Sequence, residues 1–423
     1  MADSLWFPYS QMQDLIPFFE VEDADGVYLK LKDGRELIDT TASWWCMLHG
    51  YKHPVMNAAM IKQIEKFSHV MMGGLQHQPA IQLAEKLVEV TPEGLDHVFF
   101  SDSGSVGVEV SLKMAMQYWQ NQGVTQKSKI LAFKNAYHGD TSGCMSVSDP
   151  DDMHRLFAGL IPEHFFADAP SGGMDASDEK ITEDLQSARS ILEQYHEQIA
   201  AMIIEPLLQA AGGFNMYSPK YLDRLRGLCD EFDILLIFDE VATGFGRTGS
   251  LFATDQSNIS PDIMVLSKGL TGGYVGQAAT ITNDKVYQAF LSDEKGKAFM
   301  HGPTFMANPL ACAAGVASLD LFLKNNYLEK VATMSKNFKT IFGQVTSPLI
   351  SKFRIQGATA IFELTTSEYG NELRYFAADR GVWMRPYLHY LYIMPPLIME
   401  AEHIQKIADV IQEWLDTKFA SVK

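Results

Sequence analysis

Cysteine is scarce in this chain of 423 residues: Cys46, Cys144, Cys229 and Cys312 stand far apart and form no CxxC pair. That spacing fits neither a zinc site nor a disulfide framework, and no metal site is expected; a reducing compartment suits it. Basic charge is short as well. Lysine and arginine number 34 against 52 aspartates and glutamates, a net charge of −18, which argues against a nucleic-acid or anionic-membrane surface. No apolar run approaches the ~20 residues of a membrane-spanning helix. The opening MADSLWFPYSQMQDLIPFFEVED lacks the basic and apolar regions of a signal peptide. The expectation is a soluble, cytoplasmic protein. Two phosphate-binding signatures are missing from the strand–turn–helix stretch FFSDSGSVGVEVSL: it holds no GxGxxG turn and no GK[ST] loop, so a nicotinamide-dependent oxidoreductase is disfavoured. No internal repeat or low-complexity tract occurs.

What is present is alternation. From about 50 to 305, apolar runs such as HVFFSD, KILAFK, AAMIIEP, ILLIFDE, DIMVLSK and QAATIT alternate with amphipathic stretches, the pattern of a mostly parallel sheet covered by helices. Before it, GVYLKLKDGRELID reads as a hairpin turning at Asp33-Gly34. After it come helices near 308–324 and 327–345, short strands around ATAIFEL and YLYIMPP, and a closing helix from about 400. The expected division is an N-terminal segment 1–49 contributing to the small domain, a large domain 50–307 and a C-terminal α+β domain 308–423. The fold class is α/β.

Open parallel sheets bind ligands beyond the carboxyl ends of their strands, so the residues after each run are the candidates. FFSDSGSVGVEVSL (99–112) passes from strand to turn to helix. Gly104, Ser105 and the donors behind them form either an anion seat or simply a serine-capped helix start. KILAFKNAYHGDTSG (129–143) places Tyr137, His138 and Asp140 after the next strand; Tyr137 can stack on a flat ring or merely cover core. ILLIFDEVATGFGRTG (234–249) ends a buried strand in Asp239 and Glu240, and a carboxylate there needs a cation. MVLSKGLTGG (264–273) ends another strand with Lys268, by itself an ordinary loop lysine. Together these four signals ask for one ligand. A protonated pyridine nitrogen would meet Asp239, its ring aldehyde would condense with Lys268, its phosphate would sit on the 104–105 turn, and Tyr137 would cover the ring. That ligand is pyridoxal 5′-phosphate (PLP).

The pair IFDEVATGFGRTG and LSKGLTGG closely resembles the signature of class III PLP-dependent aminotransferases, and the similarity runs end to end. FPYSQM, SWWCMLHGYKHP, SHVMMGGLQHQPA, SDSGSVGVE, AYHGDT, HGPTFMANPLACA and GVWMRPY resemble the branch of that family that aminates 8-amino-7-oxononanoate to 7,8-diaminononanoate in biotin biosynthesis, with S-adenosylmethionine as donor. The resemblance implies PLP fold type I and a homodimer with each active site at the subunit interface. It implies catalytic roles for Lys268, Asp239, Tyr137 and Tyr9. Gly104 and Ser105 would hold the phosphate with Pro303 and Thr304 from the neighbouring subunit. Tyr9, Trp44, Trp45, Tyr137, Gly302 and Tyr392 would line the substrate pocket, with Arg247 in support, and Arg385 would bind the oxo acid's carboxylate.

One departure bears on the donor. Family members that use glutamate resemble EPIQGE where this chain reads EPLLQAAGG, so Ala210 replaces the acid that helps such sites alternate between substrates. The segment RPYLHYLYIMPP is bulkier than that branch leads one to expect. Alternatives remain: another class III aminotransferase taking an ω-amino acid or diamine with pyruvate as acceptor, the same product made from lysine, or a catalytically silent binding protein on this scaffold.

Overall fold

The computed structural model describes residues 4–13, 18–151, 153–367 and 370–422. Three strands open the chain, β1 (Val21–Asp25), β2 (Tyr28–Leu31) and β3 (Glu36–Asp39), with β2 and β3 forming the expected hairpin. The central sheet draws on β4 (Leu95–Ser101), β5 (Lys129–Phe133), β6 (Phe165–Ala167) and β7 (Ile199–Ile204). A short hairpin, β8 (Leu208–Gln209) and β9 (Asn215–Met216), precedes its remaining strands, β10 (Leu235–Asp239), β11 (Ile263–Leu266) and β12 (Ala278–Asn283). The last four are β13 (Ile350–Gln356), β14 (Thr359–Leu364), β15 (Val382–Trp383) and β16 (Tyr390–Ile393).

The central sheet has seven strands in the order β4-β12-β11-β10-β7-β5-β6. β12 alone runs against its neighbours. Burial explains why these runs read as continuously apolar: every residue of β7, β10 and β11 is buried, as both faces of a parallel sheet require. Alternation along each strand then assigns the two faces. Leu131, Phe133, Met202, Ile204, Leu236 and Phe238 pack with the helices Gln186–Tyr195 and Pro219–Glu231. Ile130, Ala132, Ala201, Ile203, Leu235 and Ile237 pack against the helix Gly104–Asn121. Asp239 continues the row of Leu235 and Ile237, so its carboxyl emerges on the face where Gly104–Asn121 begins.

That helix sits very close to the sheet. A Cβ on Gly107 would lie 2.9 Å from Val265 Cγ1 and 3.1 Å from Ala278 Cβ, and the Gly107 carbonyl accepts from Thr280 Oγ1 at 2.9 Å.

The remaining elements surround one edge. β15 pairs in parallel with β3, Val382 opposite Ile38, and so joins the ends of the chain in one sheet, β1-β2-β3-β15. A second sheet, β13-β14-β16, is antiparallel. The helices Pro309–Lys324, Tyr327–Ile341 and Ala401–Val422 share a core with it through residues such as Cys312, Phe338, Phe362, Leu391 and Trp414. No helix among the described residues is long and apolar enough to cross a membrane.

The close seat of the helix at Gly107 carries a prediction. Gly107→Ala gains about 1 kcal/mol of helix propensity, but overpacking against two side chains costs about 1–3 kcal/mol. Its thermal melting temperature is therefore expected to fall below that of the parent chain rather than rise.

Candidate active site

Five strand ends converge on one cavity of about 160 Å³. Its lining includes Gly104 and Ser105 beyond β4, Tyr137 and His138 beyond β5, Glu205 beyond β7, Asp239 and Val241 at β10, and Lys268 beyond β11; Trp45 closes one side. The predicted residues Lys268, Asp239, Tyr137, Gly104, Ser105 and Trp45 are thus brought together by the topology alone.

Asp239 is buried, and its Oδ2 lies 2.7 Å from His138 Nδ1 while Oδ1 accepts from the Val241 amide at 3.0 Å. A cation-forming side chain therefore stands behind the carboxyl, on a residue for which the sequence suggested no role. The neighbouring Glu240 has a different task. Its carboxylate accepts from Thr243 Oγ1 at 2.9 Å, from the Ala253 and Thr254 amides at 2.8 Å each, and from Thr254 Oγ1 at 2.6 Å. It pins the glycine-studded loop and takes no part in the cavity.

Lys268 is partly buried, with its amine in the cavity wall. Burial holds its amine below the usual lysine range, against the opposing pull of Asp239 and then Glu205. Its Nζ lies 4.2 Å from the centroid of the Trp45 ring, and its backbone adopts a left-handed φ of 41°. Glu205 is the second overlooked residue. Fully buried, it accepts from the Tyr137 amide at 3.1 Å and the Ala210 amide at 2.9 Å, so one carboxyl spans the loops on two sides of the cavity. Burial pushes its pKa up to about 7.

The residues fit PLP. The helix Gly104–Asn121 starts at the cavity with Ser103 as its cap, and its first turn offers amide donors and a partial positive charge to a phosphate. A Cβ on Gly104 would come within 2.9 Å of Val241 Cγ1, so the slot at this turn stays open only for glycine. The buried Asp239 carboxyl, the Lys268 amine in the cavity wall and the Tyr137 ring complete the donor set that the cofactor's ring nitrogen, aldehyde and face require.

The outer residues follow from an unusual turn. Ala42, Ser43, Trp44 and Trp45 all have positive φ, at 45°, 47°, 59° and 73°, a left-handed turn built without glycine that costs about 1–2 kcal/mol per residue. Asp39 holds it, accepting from the Thr41 amide at 2.8 Å, Thr41 Oγ1 at 2.9 Å, the Ser43 amide at 3.2 Å and Tyr51 OH at 2.7 Å. Arg247, expected to support the pocket, acts from behind: its fully buried guanidinium donates to the Trp45 carbonyl at 3.1 and 3.3 Å. The turn buries Trp45 and leaves Trp44 45 % exposed.

Tyr9 stands edge-on to Trp44 at 6.2 Å, and the Arg385 guanidinium lies over the Trp44 ring at 5.2 Å. Tyr392 is buried against Trp45 and Phe214, near enough to feel the Arg385 charge. The bulky 387–390 segment lies on the outside of this cluster, where Tyr390 meets Phe214 and Arg354. Gly302, Pro303 and Thr304 do not line the cavity of their own chain; their segment is largely exposed, and the Thr304 carbonyl pairs with His69 Nε2 at 2.7 Å.

Glu205 yields a pH prediction. Its folded pKa of about 7 lies above the ordinary glutamate value of 4.5, so its stabilising contribution is complete below about pH 4.5 and lost as pH rises through 7. Glu205→Gln stays neutral throughout. The melting-temperature advantage of the parent chain over Glu205→Gln, both cofactor-free, should shrink between pH 5 and pH 8; an advantage that grows over that range contradicts the assignment.

The family model for "Aminotransferase class-III" matches residues 9–415. The chain is 44 % identical over 415 residues to the adenosylmethionine-8-amino-7-oxononanoate aminotransferase of Buchnera aphidicola (subsp. Acyrthosiphon pisum), covering 97 % of this chain and 96 % of that one. Among solved structures it resembles the enzyme of the same description from Methanocaldococcus jannaschii, with a TM-score of 0.92 and 32 % identity over 98 % and 97 % of the two chains. It also resembles an amine transaminase from an uncultivated Pseudomonas species in its PLP-bound form, with a TM-score of 0.91 and 26 % identity over 99 % of each chain. The converging strand ends, the lysine in the cavity wall and these likenesses agree: this chain belongs to the class III aminotransferases, PLP-dependent enzymes of fold type I.

Proposed function

We propose that this enzyme transfers an amino group from S-adenosylmethionine to 8-amino-7-oxononanoate, forming 7,8-diaminononanoate. The observation that carries the oxo-acid half is Arg385. Arg354 is paired with Glu363 and Arg380 with Glu413, whereas Arg385, like Arg374 over Trp383, has an aromatic ring beneath it and no carboxylate ion pair among the described residues. A guanidinium left open above tryptophan suits a bidentate grip on a carboxylate, and the aromatic wall of Trp44, Trp45 and Tyr9 suits an aliphatic chain. The relative from Buchnera is named for this pair of substrates.

Lys268, Asp239, Tyr137, Gly104 and Ser105 are the residues proposed to hold PLP. The bound cofactor supplies an electron sink that weakens the Cα–H bond of the donor and carries its nitrogen between substrates. The chain's own part is proton handling and orientation. Lys268 Nζ, kept neutral more readily by burial, takes the donor's Cα proton and returns one in the second half of the cycle. Asp239, backed by His138, holds charge at the ring nitrogen. Trp45 keeps water from the amine. Ala210, buried beside Trp45 and Tyr392, brings no carboxylate to the cavity wall, which supports a donor other than glutamate.

The proposed assembly is a homodimer in which Gly302, Pro303 and Thr304 of the partner subunit complete each site. The exposure of this segment supports it, as do the exposed side chains of Ile61, Ile64, Met71, Leu75, Met300 and Phe305, a larger apolar set than a lone soluble subunit ordinarily shows.

Four experiments test the reading. Purified protein given the oxo acid with S-adenosylmethionine, lysine or alanine in turn should form the diamine, identified by mass, with S-adenosylmethionine; product from alanine or lysine alone would point to one of the other donors. Arg385→Lys should raise KM for the oxo acid by roughly 10–100-fold, the equivalent of the ~1.5–3 kcal/mol of a hydrogen bond to a charged group, and leave the donor KM nearly unchanged. Lys268→Ala should lower turnover by at least ~100-fold, and borohydride treatment of the parent holoenzyme should leave the phosphopyridoxyl mass on the peptide that carries Lys268.

A further inference from the structure

A chain of polar contacts leads away from the cavity on the Tyr137 side. Tyr9 OH donates to Asp140 Oδ2 at 2.8 Å, and the Tyr9 and Tyr137 hydroxyls lie 3.4 Å apart, long for such a pair. The other oxygen of the same carboxyl, Asp140 Oδ1, lies 3.0 Å from Nε2 of His154. His154 is buried, with 5 % of its side chain exposed against 51 % for Asp140. Its ring also stacks on Tyr137, with centroids 5.8 Å apart and planes inclined by 25°. One buried imidazole thus touches the outer face of the ring proposed to cover the cofactor and anchors the carboxyl that receives the Tyr9 proton.

The order of donors in this chain has a chemical consequence. A phenol has a single hydrogen. Once Tyr9 gives its hydrogen to Asp140, its oxygen can only accept from Tyr137, and the Tyr137 hydrogen then points along the chain as well. Both hydroxyls are left presenting lone pairs to whatever occupies the cavity, the arrangement that receives an ammonium or an attacking water. The polarity holds only while Asp140 is an acceptor on both oxygens, that is, ionised. The hydrogen bond from His154 is the largest influence lowering the Asp140 carboxyl below its usual range, with the Tyr9 and Tyr137 hydroxyls adding to it against burial.

We propose that His154 is a positioning residue of this aminotransferase: through Asp140 it sets the direction of the Tyr9–Tyr137 hydroxyl chain, so that both tyrosines accept hydrogen bonds from the amino groups of the substrates. The inference rests on the reading of Tyr9 and Tyr137 as substrate-facing residues. It gives His154 no contact with the reacting atoms.

Four variants of the holoenzyme test it: Tyr9→Phe, Asp140→Asn, His154→Phe and His154→Gln, with kcat and KM measured for both substrates and cofactor content checked by absorbance. His154→Phe keeps a ring to stack on Tyr137 and loses the donor; His154→Gln restores a donor without the ring. The expected result is a fall of roughly tenfold in kcat/KM for His154→Phe, partial recovery in His154→Gln, unchanged cofactor content, and a double variant His154→Phe/Asp140→Asn no slower than Asp140→Asn alone, as members of one network behave. Equal losses in His154→Phe and His154→Gln, or losses that multiply in the double variant, would overturn the proposal by reducing His154 to packing. Full activity of His154→Phe beside impaired Tyr9→Phe and Asp140→Asn would overturn it too. If Tyr9→Phe and Asp140→Asn are themselves fully active, the substrate-facing reading of the tyrosines fails instead. Should His154→Phe not fold, His154→Gln/Asp140→Asn is compared with its two single variants by the same non-additivity rule.

Discussion

The site depends on keeping one amine and two carboxyls out of water at a single edge of a parallel sheet. Asp239 and Glu205 are buried and Lys268 stands beside them, largely desolvated, and an isolated charge in that position would cost several kcal/mol. Each is therefore matched: Asp239 by His138 and the Val241 amide, Glu205 by two amides, Lys268 by the field of both acids and the face of Trp45. The matching is incomplete for the amine, and that residual imbalance lowers its pKa toward the range where a lysine can take up a proton. The hydrogen bonds that stabilise the carboxyls also tie down the loops after β5 and β7, so the electrostatics and the shape of the cavity have the same origin.

A second cost sits beside it. Four consecutive non-glycine residues in left-handed conformation, Ala42 to Trp45, persist only where the surroundings over-determine them. Asp39 supplies the hydrogen bonds on one side and Arg247 grips the Trp45 carbonyl on the other. Arg247 is buried with its charge facing carbonyl oxygens, and burial pulls its pKa down to about 10. A buried cation and a strained turn are each unfavourable alone; here the first secures the second.

Much of this was legible in the sequence. Apolar runs ending in Asp239 and Lys268 mark strand ends because parallel strands are buried on both faces, and the rule that ligands gather at carboxyl ends brings those residues, Gly104 and Tyr137 to one rim. The placing of Tyr9 and Arg385 around Trp44 was foreshadowed only through resemblance, since both come from outside the central sheet. β6 and β15, with three residues and two, are too short to show a period. The turn at 42–45 carries no glycine to announce it. His138 and Glu205 escaped for a different reason: each is an ordinary polar residue at a strand end, and its task appears only when the acid or amide it serves is brought beside it from 101 or 68 residues away. A count of acids expected at the rim, two with no basic residue but Lys268, could have prompted the search for His138.

The strained turn also bears on how a long substrate is measured. Trp45 faces the Lys268 amine at 4.2 Å, and the next residue back, Trp44, lies under the Arg385 guanidinium at 5.2 Å. In an extended strand, adjacent side chains would point to opposite faces of a sheet, and both could not border one channel while one stays buried and the other open. In the left-handed turn one ring faces the amine and stays buried while the other, half exposed, lies under the arginine. On the proposed reading, the reacting carbon and the carboxylate of the oxo acid are then gauged by two consecutive residues of one rigid turn. Lengthening or relaxing that turn would shift the two ends independently, which gives a physical reason for holding it in a conformation that disfavours every residue within it.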